Sequence, residues 1–356
     1  YTTESWVWVT SFFIRIQGNF FSLVVVLLIL GSMSIYGAGE KEKATKVQSE
    51  GTLQQPAGFP SKNITFLLPV PAGGLVDVGM RALADIVDFG KSVVVVNRPG
   101  AGQTIGLTEV YQKKDDPHIV TVAGFAGYII QPNMIKVPYS IDDFRYIAVL
   151  HPPEPNIIIS KADSKYQTWQ DVVQALKSGE KVSYSASNPN GLGRIIMFEV
   201  MSQENIEPKF VPFTGSAEGF AALLGGHIDF YIIDASVAVP RIAEKQFTGL
   251  MVAGPDRLTK APQVPSAEEL GLKNMENFLG YICIAVSKDT PDKIVDWIKF
   301  KIDEAQKSDT YIKYLKTVVR TEEPLKIYTE KELTDMLHRT NDALVKNMKK
   351  FGMIGK

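Results

Sequence analysis

The sequence predicts an α/β fold of parallel sheets covered by helices on both faces, and three observations lead there. Short, continuously apolar runs recur, as in ITFLLPV (64–70), SVVVV (92–96), HIVTVAG (118–124) and IDFYIID (228–234), which suits strands buried on both sides. Between them lie segments with apolar residues at helical spacing, for example Val78, Leu83, Ile86 and Val87. The junctions are short and rich in Gly, Pro, Ser and Asn, so strands and helices alternate as in an α/β chain. At 356 residues the chain exceeds one ordinary domain of about 150 residues, and two are expected.

Element by element, the chain opens on an apolar run from Phe20 to Leu30, then small residues near Gly37 and Ala38, then GEKEK. Residues 1–38 are therefore read as a secretory signal. Phe20 to Tyr36 is almost long enough to span a bilayer, so an uncleaved membrane tether is the alternative. Residues 39–60 are polar and aperiodic, and read as a flexible linker. The strand at 64–70 then runs through PAGG into a helix over VDVGMRALADIVDFG, and SVVVV is followed by a helix in TIGLTEVYQKK. HIVTVAG, YIAVL (146–150) and NIIIS (156–160) are strands. Helices at 168–179, 194–204, 217–226 and 237–246 alternate with strands at 181–187, 209–213, 228–234 and 248–254. The carboxyl end is mainly helical, over 291–308, where Pro291 stands behind Thr290 as a cap, and over Thr329 to Lys350.

Composition narrows the function. Apolar residues make up 45% and charged residues 22%, which argues against disorder or a fibrous repeat. With 38 basic and 39 acidic residues the net charge is −1, and there is no basic stripe, so no nucleic-acid partner is expected. Cys283 is the sole cysteine, which excludes an intrachain disulfide, and inside YICIAV it reads as a small buried hydrophobe. His118, His151, His227 and His338 lie far apart without HxH or HxxxH spacing; no metal is expected, and no cofactor.

Four strand ends run into small-residue loops just before a helix: PVPAGGLVD (69–77), NRPGAGQT (97–104), SASNPNGLG (185–193) and PFTGSAEG (212–219). Ligands of parallel α/β sheets settle at the carboxyl ends of strands. There the first N–H groups of each helix are unpaired and its dipole is positive, which suits a carboxylate or phosphate. Gly100, Gly102 and Gly106 imitate a dinucleotide fingerprint, but the last spacing is one residue too long and no acid closes a second strand. Neither a GxxxxGK[ST] loop nor a GxSxG elbow occurs. Asp77 and Asp234 follow strands or their loops; at Asp77 the rival to ligand contact is a favourable charge on the first turn of a helix.

ITFLLPVPAGGLVDVGMRALAD and VVVVNRPGAGQTIGLTEV resemble the opening of the substrate-binding proteins of tripartite tricarboxylate transporters. That family shows a P-x-x-x-G-G-x-x-D loop and then an N-R-P-G-A-G-G loop. The resemblance continues through KVPYSIDDFRYIAVL (136–150), VPFTGSAEGFAALLGGHIDFYIID (211–234) and LMVAGPDRLTKAPQVPSAEELGL (250–272), covering about Lys62 to Gly352. It implies a type II periplasmic binding protein, not an enzyme, whose two domains (61–152 plus 282–356, and 153–281) close like a clamshell on a ligand. Each domain would be a mainly parallel sheet flanked by helices. The ligand would be a small organic carboxylate (a di- or tricarboxylate, amino acid or aromatic acid) and the partners membrane permease subunits, all in the periplasm. Carried onto this chain, the first wall comprises Pro71, Ala72, Gly73, Gly74 and Asp77, with Gly124, Phe125 and Ala126. The second comprises Ser187, Asn188 and Asn190, then Thr214, Gly215, Ser216 and Ala217, with Asp234 at the rim. The alternatives are a ligand sensor signalling to a receptor kinase and an enzyme acting on a small acid.

The chain departs from the family's pattern at Phe213-Thr214-Gly215-Ser216, where Y-K-G-S is usual, and at Asn188 to Arg194, where G-x-G-S-x-x-H is usual. Phe125 and Phe213 suggest a more apolar pocket for an aromatic or branched acid. Arg194 is read as a solvated helix residue, with a ligand guanidinium as its alternative.

Overall fold

The computed structural model describes residues 53–213, 215–319 and 325–355. The expected signal segment (1–38), most of the expected linker and Thr214 lie outside the described residues. Phe59, at the end of that linker, is 5% exposed, and its ring meets His118 and Trp297 at 4.8 and 5.7 Å, so the chain is packed before the first strand begins.

Among the described residues, ten strands form two five-stranded sheets of identical plan. The first contains β1 (Ile64–Leu68), β2 (Val93–Asn97), β3 (Ile119–Gly124), β4 (Phe144–Val149) and β10 (Ile282–Ser287), in the order β2-β1-β3-β10-β4. The second contains β5 (Asn156–Lys161), β6 (Ser183–Ala186), β7 (Lys209–Phe210), β8 (Phe230–Asp234) and β9 (Phe247–Ala253), in the order β7-β6-β8-β5-β9. In each sheet three adjacent strands pair in parallel, and one antiparallel strand, β10 or β5, separates them from the last. The chain crosses between sheets at 150–155 and again at 254–281. Each antiparallel strand is the one by which the chain enters its sheet from the other lobe.

Both faces of each sheet are covered, which explains the continuous apolar runs. On β3 and β10, Ala123, Cys283 and Ala285 point into one core while Val120, Val122, Ile284 and Val286 point into another. In the second sheet Ile158, Phe230 and Ile232 face the first of these cores, whereas Ile157, Ile159, Tyr231 and Ile233 face a third. The shared core is sealed by the carboxyl-terminal helix through Leu333, Leu337 and Leu344. β2 is one edge of the first sheet, and Val94 is 43% exposed. The strand read over 209–213 shrinks to two residues just before Val211 and Pro212, and proline has no N–H for a ladder.

The helices are α1 (Leu75–Ile86), α2 (Thr104–Gln112), α3 (Gln131–Met134), α4 (Trp169–Lys177), α5 (Leu192–Glu204), α6 (Ser216–Leu224), α7 (Ala235–Ala243), α8 (Asp292–Lys307), α9 (Asp309–Tyr314) and α10 (Glu330–Lys350). A π turn at Ala126–Ile130, in a stretch where the sequence suggested no element, precedes α3. The expectation that Thr290 caps α8 is corrected: Pro291 is the cap residue, and the buried Thr290 hydroxyl has no partner among the described residues. α10 spans the two lobes. It packs on β4 and on α5, Asn347 donates to Glu199 of α5 at 2.8 Å, and Phe351, just beyond it, stacks on Phe198 at 4.5 Å.

Candidate functional site

The registers bring two sets of loops together. β3 ends at Gly124 opposite Ile282, and β8 ends at Asp234 opposite Asn156. Ile282 and Asn156 each lie two residues beyond a crossover residue, Gly280 and Glu154, and these two are bridged by Gly280 N–H to Glu154 O at 2.8 Å and Glu154 N–H to Gly280 O at 3.2 Å. The carboxyl ends of both sheets therefore open on one cleft beside a paired hinge. The loops after β1, β2 and β3 line one side, and those after β6, β7 and β8 line the other.

Three helices begin at this cleft behind glycine: α1 behind Gly74, α5 behind Gly191 and α6 behind Gly215. Among the described residues none of the three has a side-chain cap, although Asp77 and Glu218 stand in the first turns of α1 and α6. Their leading N–H groups and dipoles are thus left for an outside acceptor, a favourable setting for carboxylate oxygens. Pro71, Ala72, Gly73 and Gly74 are exposed, as are Asn188, Asn190 and Ala217, while Ser187, Gly215 and Ser216 are half-buried. Gly73 holds φ +85°, a left-handed conformation that glycine adopts freely, and a Cβ there would meet nothing within 4 Å.

Asp77 is turned inward. It is 2% exposed and accepts from Gly73 N–H at 2.8 Å, Asn97 Nδ2 at 2.8 Å and Arg81 Nε at 3.0 Å. Asn97 also donates to Val70 O at 3.1 Å and accepts from Arg81 Nη2 at 2.8 Å. Burial alone would raise the Asp77 pKa, but Arg81, the Gly73 N–H and Asn97 together hold it down to about 2. This carboxylate is buried and fixes the Pro71–Gly74 loop from behind, which gives it a supporting place behind the expected wall. Asn97 and Arg81, the partners of Asp77, were missed as site residues; the Asn closing β2 just before Arg98-Pro99-Gly100 was the signal.

The other expected residues divide between backbone and side-chain exposure. Gly124 and Phe125 are buried and Ala126 half-buried. The Phe125 ring is 4% exposed and lies 6.1 Å from that of Tyr281, while Phe213 packs on the third core. The two aromatics therefore support packing, and the expectation of an aromatic-lined pocket finds no support at these rings. Arg194 is neither solvated nor extended into the cleft. Its guanidinium stacks 4.2 Å above the Phe210 ring and donates to Pro189 O at 3.0 Å.

The start of α7 is occupied internally. The Glu154 carboxylate accepts from Ser236 N–H, and Ala235 N–H donates to Pro155 O at 3.1 Å. Asp234 is exposed and accepts from Asn156 Nδ2 at 2.9 Å. Burial raises the pKa of Glu154, and that of Asp234 despite its access to solvent, which is what a concave site produces. Among the described residues no group of three His, Cys, Asp or Glu side chains is placed to hold a metal ion, and no helix is long and apolar enough to cross a membrane.

Two like sheets, a paired hinge and open helix starts on the edges facing one cleft define a two-lobed solute-binding protein. The chain belongs to the tripartite tricarboxylate transporter family receptors, whose family profile matches residues 80–332; this is a family of binding proteins rather than enzymes. A UPF0065 protein from the tcbD–tcbE intergenic region of Pseudomonas sp. strain P51 is 29% identical over 268 residues, covering 72% of this chain and 78% of the relative. Among solved structures, a TctC solute-binding protein from Polaromonas aligns with a TM-score of 0.73 at 23% identity, over 82% of this chain and 99% of that one. MatC of Rhodopseudomonas palustris, solved with bound malate, aligns with a TM-score of 0.60 at 20% identity (80% and 100% covered). Rpa4515 of R. palustris, solved with adipate, aligns with a TM-score of 0.65 at 19% identity (83% and 98% covered). The fold is that of a two-domain periplasmic binding protein.

Proposed function

We propose that this chain is a periplasmic solute-binding protein that captures a small organic carboxylate and presents it to the permease subunits of a tripartite tricarboxylate-type transporter. The observation that carries the reading is the set of three glycine-started, uncapped helices, α1, α5 and α6, opening on one cleft from both lobes. Backbone N–H groups there favour an anion without a lysine, and the malate and adipate held by two proteins of like fold are of the same chemical class. Residues 61–152 plus 282–356 and residues 153–281 act as the two closing bodies. Their walls are Pro71–Gly74 and Gly124–Ala126 on one side, and Ser187, Asn188, Asn190 and Thr214–Ala217 on the other, with Asp77 behind the first wall and Asp234 at the hinge-side rim. Closure on the ligand then favours one state for a permease to recognise.

A thermal-shift screen of the purified protein, unfolded and refolded to strip carried-over ligand, tests this. The panel comprises mono-, di- and tricarboxylates, amino acids, sugars and nucleotides. A ligand at about 100 times its Kd adds roughly 2.7 kcal/mol, which raises Tm by several degrees. The expected result is a shift with one class of carboxylate. A shift with nucleotides alone would overturn the reading.

A further inference from the structure

The loop after β2 carries four consecutive residues with positive φ: Gly100 at 131°, Ala101 at 44°, Gly102 at 62° and Gln103 at 81°. For the glycines this conformation is free, but at Gln103 a side chain is held in left-handed backbone at a cost in free energy. The strain places that side chain. Gln103 Oε1 accepts from Gly124 N–H at 3.2 Å, where β3 ends at the cleft. The amide lies over Gly127, at which an added Cβ would come within 2.7 Å of Oε1 and 2.9 Å of the Gln103 Cβ, so only glycine leaves room for it. With Oε1 fixed in this way, the Nε2 amino group retains its donors. Gln103 is half-buried; its backbone N–H donates to Gly100 O at 3.0 Å, and its side chain forms no other hydrogen bond among the described residues. The family's loop pattern closes on a second glycine at the place where this chain has Gln103.

We propose that Gln103 is a specificity-determining residue of the cleft: Gly124 N–H orients its amide, and the Nε2 donors take a carboxylate oxygen of the ligand. The inference rests on the carboxylate reading above. It adds a side-chain donor to a site otherwise built from backbone.

Calorimetric titration of the full protein with malate, succinate, adipate and citrate tests it, comparing wild type, Gln103→Gly, Gln103→Glu and Gly73→Val. The expected result is that the best of these acids binds Gln103→Gly about tenfold more weakly, the scale of one lost hydrogen bond to a charged group, and Gln103→Glu more weakly still because a carboxylate then faces a carboxylate. Freed of the strained backbone, Gln103→Gly should melt no lower than wild type without ligand, which separates ligand contact from a structural role. Wild-type affinity in both Gln103 variants, with binding lost in Gly73→Val, would leave the site in place and overturn the role of Gln103. A parallel fall in Tm and affinity in Gln103→Gly would overturn it as well. If wild type binds neither these acids nor any carboxylate of the thermal-shift panel, the carboxylate reading fails and the role of Gln103 falls with it.

Discussion

At the cleft, α1, α5 and α6 begin behind Gly74, Gly191 and Gly215, whereas away from it α4, α9 and α10 begin behind Thr168, Ser308 and Thr329. The second group is closed by the chain's own side chains. Thr168 pairs with Asp171, and Thr329 with Glu332, in complete capping boxes, and Ser308 accepts from Tyr311 N–H. The contrast holds between these two groups and not for every helix, since α8, which starts at the far end of β10, begins behind Pro291 without a side-chain cap. α7 is the intermediate case. It starts at the cleft, yet Glu154, a residue of the hinge, already fills its first turn. α1 and α6 also carry an acidic residue of their own in the first turn, Asp77 and Glu218, whereas α5 carries none.

The largest effect should come from erasing the difference at one position. Gly215 has extended backbone at φ −171° and no atom within 4 Å of an added Cβ, so Gly215→Asp fits and puts a carboxylate at the cap position of α6, ahead of Glu218 in its first turn. Carboxylate affinity, read by calorimetry, should fall roughly 100-fold, because a like charge placed against the ligand costs several kcal/mol. Unchanged affinity would mean that α6 does not face the ligand.

Asp77→Asn comes next, acting on the support of the first wall. The folded pKa of Asp77, about 2, lies below its unfolded value, so folding favours the ionised form. Its stabilisation, about 2 kcal/mol for a shift of this size, is complete above roughly pH 4 and disappears as pH falls through about 2. Denaturant unfolding at pH 7 should show the variant weaker by that amount, and acid titration should show a flatter acid limb than wild type. A variant as stable as wild type, with the same acid limb, would break the link between Asp77 and the loop.

Removing a closed cap should be milder and confined to stability. Thr168→Ala should cost about 1 kcal/mol in denaturant unfolding and leave carboxylate Kd unchanged, since α4 starts away from the cleft. The smallest effect belongs to Gly215→Ser, which should add a few tenths of a kcal/mol of stability while weakening the ligand severalfold. Opposite signs for stability and affinity at one residue would sharpen the contrast more than either measurement alone.

Much of this architecture was legible in the chain. The continuous apolar runs became strands covered on both faces, and PAGG and NPNG became the turns before α1 and α5, while Gly215 stands at the start of α6. The direction of β5 and β10 was not legible: NIIIS and YICIAV read like their parallel neighbours, and their opposite sense follows from each strand entering its sheet across the hinge. Phe125 and Phe213 carried no sign of which way they face, and both turn towards core. Asp77 was legible as a residue of the site but not as its support, because its three donors come from Gly73, Arg81 and Asn97, on three different elements.

The sequence by itself determined where strands, helices and glycine-started turns occur, because apolar periodicity and the absence of a side chain are local properties. Only the tertiary structure decided which helix starts face the cleft, that Glu154 closes one of them from 82 residues away, and that Gln103 reaches Gly124. Those outcomes depend on sheet order and on the paired crossovers, and burial across long sequence separations sets both.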